Sequence, residues 1–293
     1  MNSVKKMNFI YYNIYIYMNG FRNLGNTCYL NAGLQMIVNN IDFCNVVMSI
    51  ESEDTFIKKF KEFIRLYHSH NGRVLVPKFI KNEVSSNNNI FVGYGQQDSE
   101  EFFTALLTII NNKISNNVID EVFNIKIKTT IKCKVMSCLT KKFNSEKSIK
   151  LMFEIDNDTH QLDDCYRNFK ISEKLDKDNM VFCEKCKKKT IMSRKAEVEG
   201  WPDNLIIVLK RFIPMNGRLK KNTQKINIPL NWRRGYTLQG IVFHSGSIDF
   251  GHYVYVGKNK DKWFLYDDDS ISQLTDRTLE KFKNEGYIYY FKK

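Results

Sequence analysis

The hydrophobic residues change their period about 120 residues into the chain, and this change is the strongest constraint on the fold. Before that point they recur every three or four positions, as on one face of a helix, and helices are predicted over residues 29–38, 55–68 and 99–110. From Val122 onward apolar and polar residues alternate, as in half-buried strands. The sequence therefore predicts an α+β fold, with helices first and strands later. The predicted strands span residues 123–131, 149–155, 205–212, 236–243, 252–256, 262–266 and 287–291.

The composition is that of a globular protein. Of the 293 residues, 43% are hydrophobic, and only 4 are Pro and 14 are Gly, which excludes a disordered or collagen-like chain. The aromatic-rich segment 7–18 (MNFIYYNIYIYM) is too short to cross a bilayer, which needs about 20 apolar residues. It is predicted to be a strand or a loose extension. No membrane partner is expected.

The chain is basic, with 45 Lys and Arg against 32 Asp and Glu and a net charge of +13. Such a charge favours nucleic acid or an anionic membrane surface as a partner. The lysines are nevertheless spread along the chain, and the only short runs are 187–189 and 220–221. A solvated surface is the simpler interpretation, so nucleic acid is not an expected partner.

The cysteines indicate a reducing compartment. There are seven of them, an odd number, and no small-residue cleavage site follows the N-terminal segment. The chain is also much longer than the small scaffolds that depend on disulfides. We expect free thiols and an intracellular location, cytoplasmic or nuclear, rather than secretion.

Cys28 is a candidate nucleophile. It follows a Gly25-Asn26-Thr27 turn and begins a predicted helix, for which Asn26 and Thr27 are suitable caps. The dipole and free N–H groups of a helix start stabilise a thiolate. A cysteine at a helix start is also common by chance, so a structural role remains open on this evidence alone.

Thiolate catalysis needs a base and a residue that orients the base. His252 begins an apolar strand, and a second strand soon afterwards ends in Asp267, Asp268 and Asp269. If the two strands are adjacent, Asp267 lies beside His252 and can orient its imidazole. An acidic triplet is otherwise typical of a turn. Solvated or capping roles are predicted for the other histidines, His68, His70, His160 and His244.

Several motifs together resemble the ubiquitin-specific protease family of cysteine proteases. The longest is GFRNLGNTCYLN over residues 20–31, which resembles the cysteine box of that family. The other matches follow in the family's order and extend the resemblance from about residue 20 to the end of the chain. They are Leu34-Gln35, GQQDSEEF at 95–102, LKRF at 209–212, GHY at 251–253, Trp263 and Asp267-Asp268.

The resemblance implies a role for each matched residue. Cys28 would be the nucleophile, His252 the general base and then acid, and Asp267 the residue that orients His252. Asn23 would help to form the oxyanion hole, and Asp268 would assist. Two further residues, Gln97 and Asp98, would bind the tail of ubiquitin. Independently of the resemblance, Asp98 also suits the N-cap of the predicted helix at 99–110.

The resemblance also implies a papain-like hand with three subdomains. A helical thumb would span residues 20–115, β-rich fingers 125–200, and the palm 116–124 together with 201–293. Residues 1–19 would form an N-terminal extension outside the catalytic domain. The active cleft would lie between thumb and palm, and the protein is expected to be a monomer.

Two cysteine pairs are candidate ligands of a structural Zn²⁺. Cys183 and Cys186 are separated by two residues, the spacing of a zinc knuckle, and Cys133 and Cys138 by four. The family often has a zinc site at the fingertips, but its usual first pair is more closely spaced. The alternative is that the fingers hold no metal and the thiols are merely buried.

The resulting function is that of a deubiquitinase. It would cleave the isopeptide or peptide bond after the C-terminal Gly of ubiquitin, or of a ubiquitin-like modifier, through a thioester and without a catalytic cofactor. Its partners would be ubiquitin and ubiquitinated proteins. One alternative is a catalytically weak ubiquitin-binding module of the same fold, and another is a zinc-ribbon protein that binds nucleic acid.

Overall fold

The computed structural model describes residues 18–69, 72–114, 118–138, 140–215, 217–248 and 250–293. The strand or extension predicted over residues 7–18 lies outside them except for Met18, as does His70. The helices are α1 Cys28–Val38, α2 Ile41–Ser49, α3 Thr55–Tyr67, α4 Lys78–Asn87, α5 Ser99–Lys113, α6 Val118–Phe123, α7 Leu162–Phe169 and α8 Asp276–Glu285.

The strands are concentrated in the second half of the chain, so the predicted order of helices first and strands later is confirmed. They are β1 Gly20–Phe21, β2 Val74–Leu75, β3 Ile125–Cys133, β4 Lys141–Ser148, β5 Leu151–Phe153, β6 Glu173–Leu175, β7 Val181–Cys183, β8 Lys188–Thr190, β9 Met192–Gly200, β10 Asn204–Leu209, β11 Phe212–Met215, β12 Arg218–Lys221, β13 Asn231–Trp232, β14 Tyr236–Gly246, β15 Gly251–Asn259, β16 Lys262–Asp267, β17 Ser270–Gln273 and β18 Ile288–Lys292.

The chain divides into two compact units. The first comprises the described parts of Met1–Val122, Gln239–Phe282 and Gly286–Tyr289. The second comprises those of Phe123–Leu238, Lys283–Glu285 and Tyr290–Lys293. Within the described residues, no helix is both long enough and apolar enough to span a membrane.

The core of the first unit is built around α1. Every residue of this helix is buried, which requires neighbours on all sides. Helix α5 approaches closely at Gly33, where a Cβ atom would lie only 3.0 Å from the ring of Phe102. Strand β15 also contacts α1 and belongs to an antiparallel array in the order β17-β16-β15-β14. A short parallel pair, β1 and β2, completes the strands of this unit.

Helix α3 shows how the sequence pattern produces the predicted element. The Asp54 carboxylate caps the helix by accepting a hydrogen bond from the N–H of Ile57 at 3.0 Å. The apolar face is buried and the lysines lie on the opposite face. The buried residues are Phe56, Ile57, Phe60, Phe63, Ile64 and Tyr67.

The second unit is mainly β. Strands β4, β3, β9 and β6 form an antiparallel sheet in that order, β7 and β8 form a short hairpin, and β10 pairs in parallel with β5. One strand predicted over residues 205–212 is instead two strands. The chain bends after Leu209, since Arg211 is buried and its guanidinium donates to the carbonyl oxygens of Asn222 and Gln224 at 3.1 and 2.8 Å.

Candidate active site

The turn before α1 is shaped by the side chain of Asn23. Its Oδ1 accepts hydrogen bonds from the N–H groups of Gly25 and Thr27 at 2.9 and 3.1 Å. Gly25 has a φ of 105°, a conformation that is costly for residues with a Cβ atom. The Thr27 hydroxyl accepts from the N–H of Leu24 at 2.8 Å. These bonds fix the turn and place Cys28 at the first position of α1.

The N-terminus of α1 is left available to an anion. Thr27 is the N-cap residue, but its side chain makes no capping bond to the helix, because its hydroxyl is engaged with Leu24 and Asn23. The first backbone N–H groups of a helix have no partner within the helix, and the helix dipole adds positive potential there. Cys28, only 3% exposed, is therefore placed where a thiolate or an oxyanion is stabilised.

His252 and Asp267 lie on neighbouring antiparallel strands. The register pairs Tyr255 of β15 with Tyr266 of β16, so His252 and Asp267 are diagonal neighbours on one face. His252 Nε2 lies 2.6 Å from Asp267 Oδ1. This contact fixes the imidazole plane and leaves the other ring nitrogen for the thiol of Cys28.

The site raises the proton affinity of His252. Hydrogen bonding to Cys28 is the main cause that raises the pKa of His252 to about 9, and the bond to Asp267 adds to it. Partial burial acts in the opposite direction. At neutral pH the imidazole is therefore held protonated beside the sulfur of Cys28.

Asp268 connects the cysteine turn to the end of β16. Its two carboxylate oxygens accept hydrogen bonds from the amides of Asn23 at 2.8 Å and Asn31 at 2.7 Å. Its backbone oxygen accepts from the N–H of Phe21 at 2.8 Å. Asp268 adopts a φ of 52°, in the left-handed region. The Asp268 side chain therefore orients the Asn23 amide. It also lies near His252.

Asp98 is the N-cap of α5, as its position before the helix predicted. Its Oδ1 accepts from the N–H groups of Glu100 and Glu101 at 2.6 and 3.2 Å. Its Oδ2 accepts from the hydroxyls of Tyr287 and Tyr253 at 3.0 and 3.3 Å. Burial raises the pKa of Asp98, against the effect of these hydrogen bonds.

Gln96 is a site residue for which the sequence analysis assigned no role. Its Nε2 donates to the carbonyl oxygen of Gly251 at 2.8 Å, and its Oε1 accepts from the N–H of Gly251 at 3.1 Å. Gln97, assigned to substrate binding, lies half-buried next to it. The adjacent glutamines and the glycine before His252 were both visible in the sequence, but nothing in a single sequence pairs them.

One prediction about the histidines was wrong, and another was right in part, since His68 is the C-cap residue of α3. His244 was predicted to be solvated or capping, but it is 6% exposed and packs on the ring of Tyr253. His68 is 9% exposed, and its Nε2 bonds the carbonyl oxygen of Val38 at 3.0 Å. Burial lowers the pKa of His68 to about 4, so it stays neutral. His68 follows the last residue of α3 and His244 lies within β14, and tertiary packing covers both side chains.

The four cysteines of the two pairs come together in the second unit. Cys133 and Cys186 have their sulfurs 4.0 Å apart, those of Cys138 and Cys183 are 3.6 Å apart, and all four lie within 4.8 Å of one another. These distances exclude disulfides, whose sulfurs are about 2.05 Å apart. A tetrahedral Zn²⁺ with bonds of about 2.3 Å holds its sulfurs about 3.8 Å apart. The cluster therefore fits a metal ion.

The surroundings of the cluster lower the pKa of two of its cysteines, whereas hydrogen bonding to Cys138 raises the pKa of Cys186 to about 12. The Thr140 hydroxyl lies 2.9 Å from the Cys138 sulfur, and this hydrogen bond lowers the pKa of Cys138 to about 6. Cys133 lies 3.4 Å from the Thr190 hydroxyl, which likewise lowers its pKa. Metal binding requires deprotonated sulfur. The four residues between Cys133 and Cys138 do not prevent the four sulfurs from converging.

A family model described as "Ubiquitin carboxyl-terminal hydrolase" matches residues 19–291 of the chain. The chain belongs to this family and is a ubiquitin carboxyl-terminal hydrolase. A curated relative, ubiquitin carboxyl-terminal hydrolase 12 of Salmo salar, is 26% identical over 332 aligned positions, which cover 93% of this chain and 88% of the relative.

The solved structures that the chain resembles support the same fold. One is a SAGA DUB module of Ubp8, Sgf11, Sus1 and Sgf73 bound to monoubiquitin, with a TM-score of 0.78, 22% identity, and 94% of this chain and 69% of that chain covered. Another is the same module bound to ubiquitin aldehyde, with a TM-score of 0.77, 22% identity, and coverage of 95% and 70%. The predicted α+β fold of the ubiquitin-specific proteases is confirmed.

Proposed function

We propose that the chain removes ubiquitin from proteins with Cys28 as nucleophile, His252 as general base and acid, and Asp267 as the residue that orients His252. The observation that carries the proposal is the position of His252. Its Nε2 is held by Asp267 at 2.6 Å, and its pKa is raised chiefly by a hydrogen bond to Cys28. A thiol, an imidazole and a carboxylate in this order form the general arrangement for thiolate catalysis.

In the first half of the reaction the Cys28 thiolate attacks the carbonyl carbon of the C-terminal Gly of ubiquitin. The carbonyl π electrons move to oxygen and form a tetrahedral oxyanion. The uncapped N–H groups at the start of α1 and the Asn23 amide are its proposed donors. Asn23 Nδ2 donates one hydrogen bond to Asp268, which leaves its other N–H for the oxyanion.

The tetrahedral intermediate then collapses. The carbon–nitrogen bond breaks as the imidazolium of His252 transfers its proton to the leaving lysine amine, and a thioester to Cys28 remains. In the second half His252, now neutral, takes a proton from water as that water attacks the thioester. The carbon–sulfur bond breaks, the new carboxyl group of ubiquitin loses its proton to solvent, and the thiolate is restored beside imidazolium.

Ubiquitin is the proposed substrate because the family and the ubiquitin-bound structural relatives favour it. Gln97 and Asp98 remain the proposed contacts to its C-terminal tail. Because Asp98 already accepts bonds from two backbone N–H groups and two tyrosine hydroxyls, its share in that contact would be electrostatic.

We also propose that Zn²⁺ is the metal held by Cys133, Cys138, Cys183 and Cys186. The metal would have a structural role, since four thiolates complete a tetrahedral shell and leave no open position for a substrate. Bound there, Zn²⁺ would link the segment that carries the first pair to the β7–β8 hairpin.

Replacing Asp267 by Asn is expected to lower kcat for a ubiquitin C-terminal fluorogenic amide by about 10²- to 10⁴-fold, because the imidazole loses its orienting anion. Asp267 raises the pKa of His252, which is about 9. The wild type should therefore lose activity as pH rises through about 9, where the acid that protonates the amine is lost. In the variant this alkaline limb should move to lower pH.

The pH–rate profile of both proteins, with Asp269→Asn as the matched control, tests this expectation. Asp269 lies two residues further along and is exposed, so its variant should keep the wild-type profile. An Asp267→Asn variant with wild-type kcat would refute the orienting role. Ubiquitin binding without any hydrolysis by the wild type would instead support the ubiquitin-binding module.

A further inference from the structure

The side chain of Gln96 pairs with the backbone of Gly251, the residue before His252. The primary amide both donates to the Gly251 carbonyl oxygen and accepts from the Gly251 N–H, at 2.8 and 3.1 Å. A primary amide can bond both the N–H and the carbonyl oxygen of one residue in this way only in one relative orientation. The contact therefore fixes the direction of the backbone as well as its distance.

The opposite side of Gly251 is closed by His244. A Cβ atom at position 251 would lie 1.9 Å from His244 Nε2, far inside any contact distance. His244 is itself buried and packs against Tyr253, with the ring centroids 4.5 Å apart. Glycine at 251 thus lets the backbone lie between a buried imidazole and the amide of Gln96.

The same loop also contacts the residue on the other side of the candidate base. Asp98, two residues after Gln96, accepts a hydrogen bond from the hydroxyl of Tyr253 at 3.3 Å. Gln96 and Asp98 therefore hold Gly251 and Tyr253, the two chain neighbours of His252. The imidazole carries the catalytic protons, but its backbone anchor depends on these contacts.

We propose that Gln96 is a positioning residue that sets the place of His252 relative to Cys28. The proposal rests on the proposed function of His252 and adds a residue to the machinery of that reaction. A displacement of about 1 Å at a catalytic group costs about 10²-fold in rate. The two hydrogen bonds on Gly251 are exposed, so they add little to overall stability but resist movement at this one position.

Gln96→Met tests the proposal, because methionine has a similar length and lacks the amide donor and acceptor. With the ubiquitin fluorogenic amide, kcat should fall by about 10-fold or more while KM changes by less than about 2-fold. The thermal unfolding midpoint should not change. Gln273→Met in exposed β17 is the matched control and should leave both kinetic constants unchanged.

A second measurement separates this proposal from the proposed function. The rate at which iodoacetamide alkylates Cys28, followed by peptide mass spectrometry at pH 7, depends on the thiolate that His252 stabilises and needs no ubiquitin. Gln96→Met should slow it by about the same factor as kcat. Slower alkylation in a protein without hydrolytic activity would support the positioning role and refute the deubiquitinase reaction.

Other outcomes would overturn the proposal. A raised KM with unchanged kcat and alkylation would make Gln96 a substrate contact, and unchanged values throughout would make the pairing with Gly251 irrelevant. If the Met variant does not fold, Gln96→Glu decides the question. Its carboxylate can accept from the Gly251 N–H but cannot donate to the carbonyl, so kcat and alkylation should again fall. Wild-type values in a folded Gln96→Glu protein would refute the positioning role.

Discussion

Cys28→Ala is expected to reduce kcat for a ubiquitin C-terminal fluorogenic amide by about 10⁵-fold or more, the scale seen when a protease loses its nucleophile. Without sulfur no thioester forms, and His252 has no thiolate beside it. The residual rate would come from binding and from the oxyanion donors at the start of α1 and at Asn23. Hydrolysis of the purified wild type and variant under identical conditions is the measurement.

The control for this variant is Cys165→Ala. Cys165 is also buried and unpaired, and burial raises its pKa to about 12, so it cannot serve as a thiolate at neutral pH. The Cys165→Ala protein should keep wild-type kcat. Ubiquitin binding should survive in Cys28→Ala, since truncating one thiol that is 3% exposed leaves the surrounding surface intact. Equal activity of Cys28→Ala and wild type would exclude Cys28 as the nucleophile.

The regular elements of the first unit could be predicted because their patterns are local. The predicted helices at 55–68 and 99–110 correspond to α3 Thr55–Tyr67 and α5 Ser99–Lys113, and both begin directly after an Asp that caps them. Helix α3 also carries enough apolar residues at helical spacing to reveal the face that it buries. Cys28, the candidate nucleophile at the first position of α1, could be singled out because the Gly25-Asn26-Thr27 turn before it is also a local pattern.

The sequence did not predict strands that form through pairing with a neighbouring strand and lack an alternation of apolar and polar residues. Strand β4 Lys141–Ser148 is exposed at seven of its eight positions, so no alternation of apolar and polar residues could reveal it. Its conformation comes from pairing with β3, for example Phe143 with Thr130. The strand predicted over 149–155 is shorter in the structure and covers Leu151–Phe153, because only these three residues pair with β10.

In the candidate active site, contacts between residues near in sequence could be predicted, whereas contacts between distant residues could not. The proximity of His252 and Asp267 could be predicted from the sequence. The two residues are only about 15 positions apart, and two short strands joined by a tight turn have a fixed register. The Gln96–Gly251 pair spans 155 residues of sequence, and the Asp268–Asn23 pair spans 245. Such contacts arise from how α1, α5 and the strand array pack, which hydrophobic periodicity does not specify.

Removal of the proposed Zn²⁺ from the cysteine cluster should unfold the β7–β8 hairpin locally. The strands that carry Cys183 and its hairpin partner are only three residues long, and Val181 and Phe182 are 37% and 52% exposed. Among the described residues, few make apolar contacts around the sulfurs. They are Met192 and the partly buried Ile131, Val135 and Leu175. A segment with so small a core depends on a crosslink, and structural Zn²⁺ contributes about 10–16 kcal/mol in small zinc domains.

We therefore expect about one zinc ion per chain in elemental analysis of the purified protein, and a clear fall in the thermal unfolding midpoint on chelation. Cys183→Ser should lose the metal, and amides of β7 and β8 should exchange with deuterium as fast as those of an open loop. Cys165→Ala, whose thiol lies outside the cluster, should keep both the metal and the protection. A metal-free protein with protected β7 and β8 amides would instead mean that packing of the buried thiols alone stabilises the β7–β8 hairpin. The four cysteines would then bind no metal although their geometry fits one.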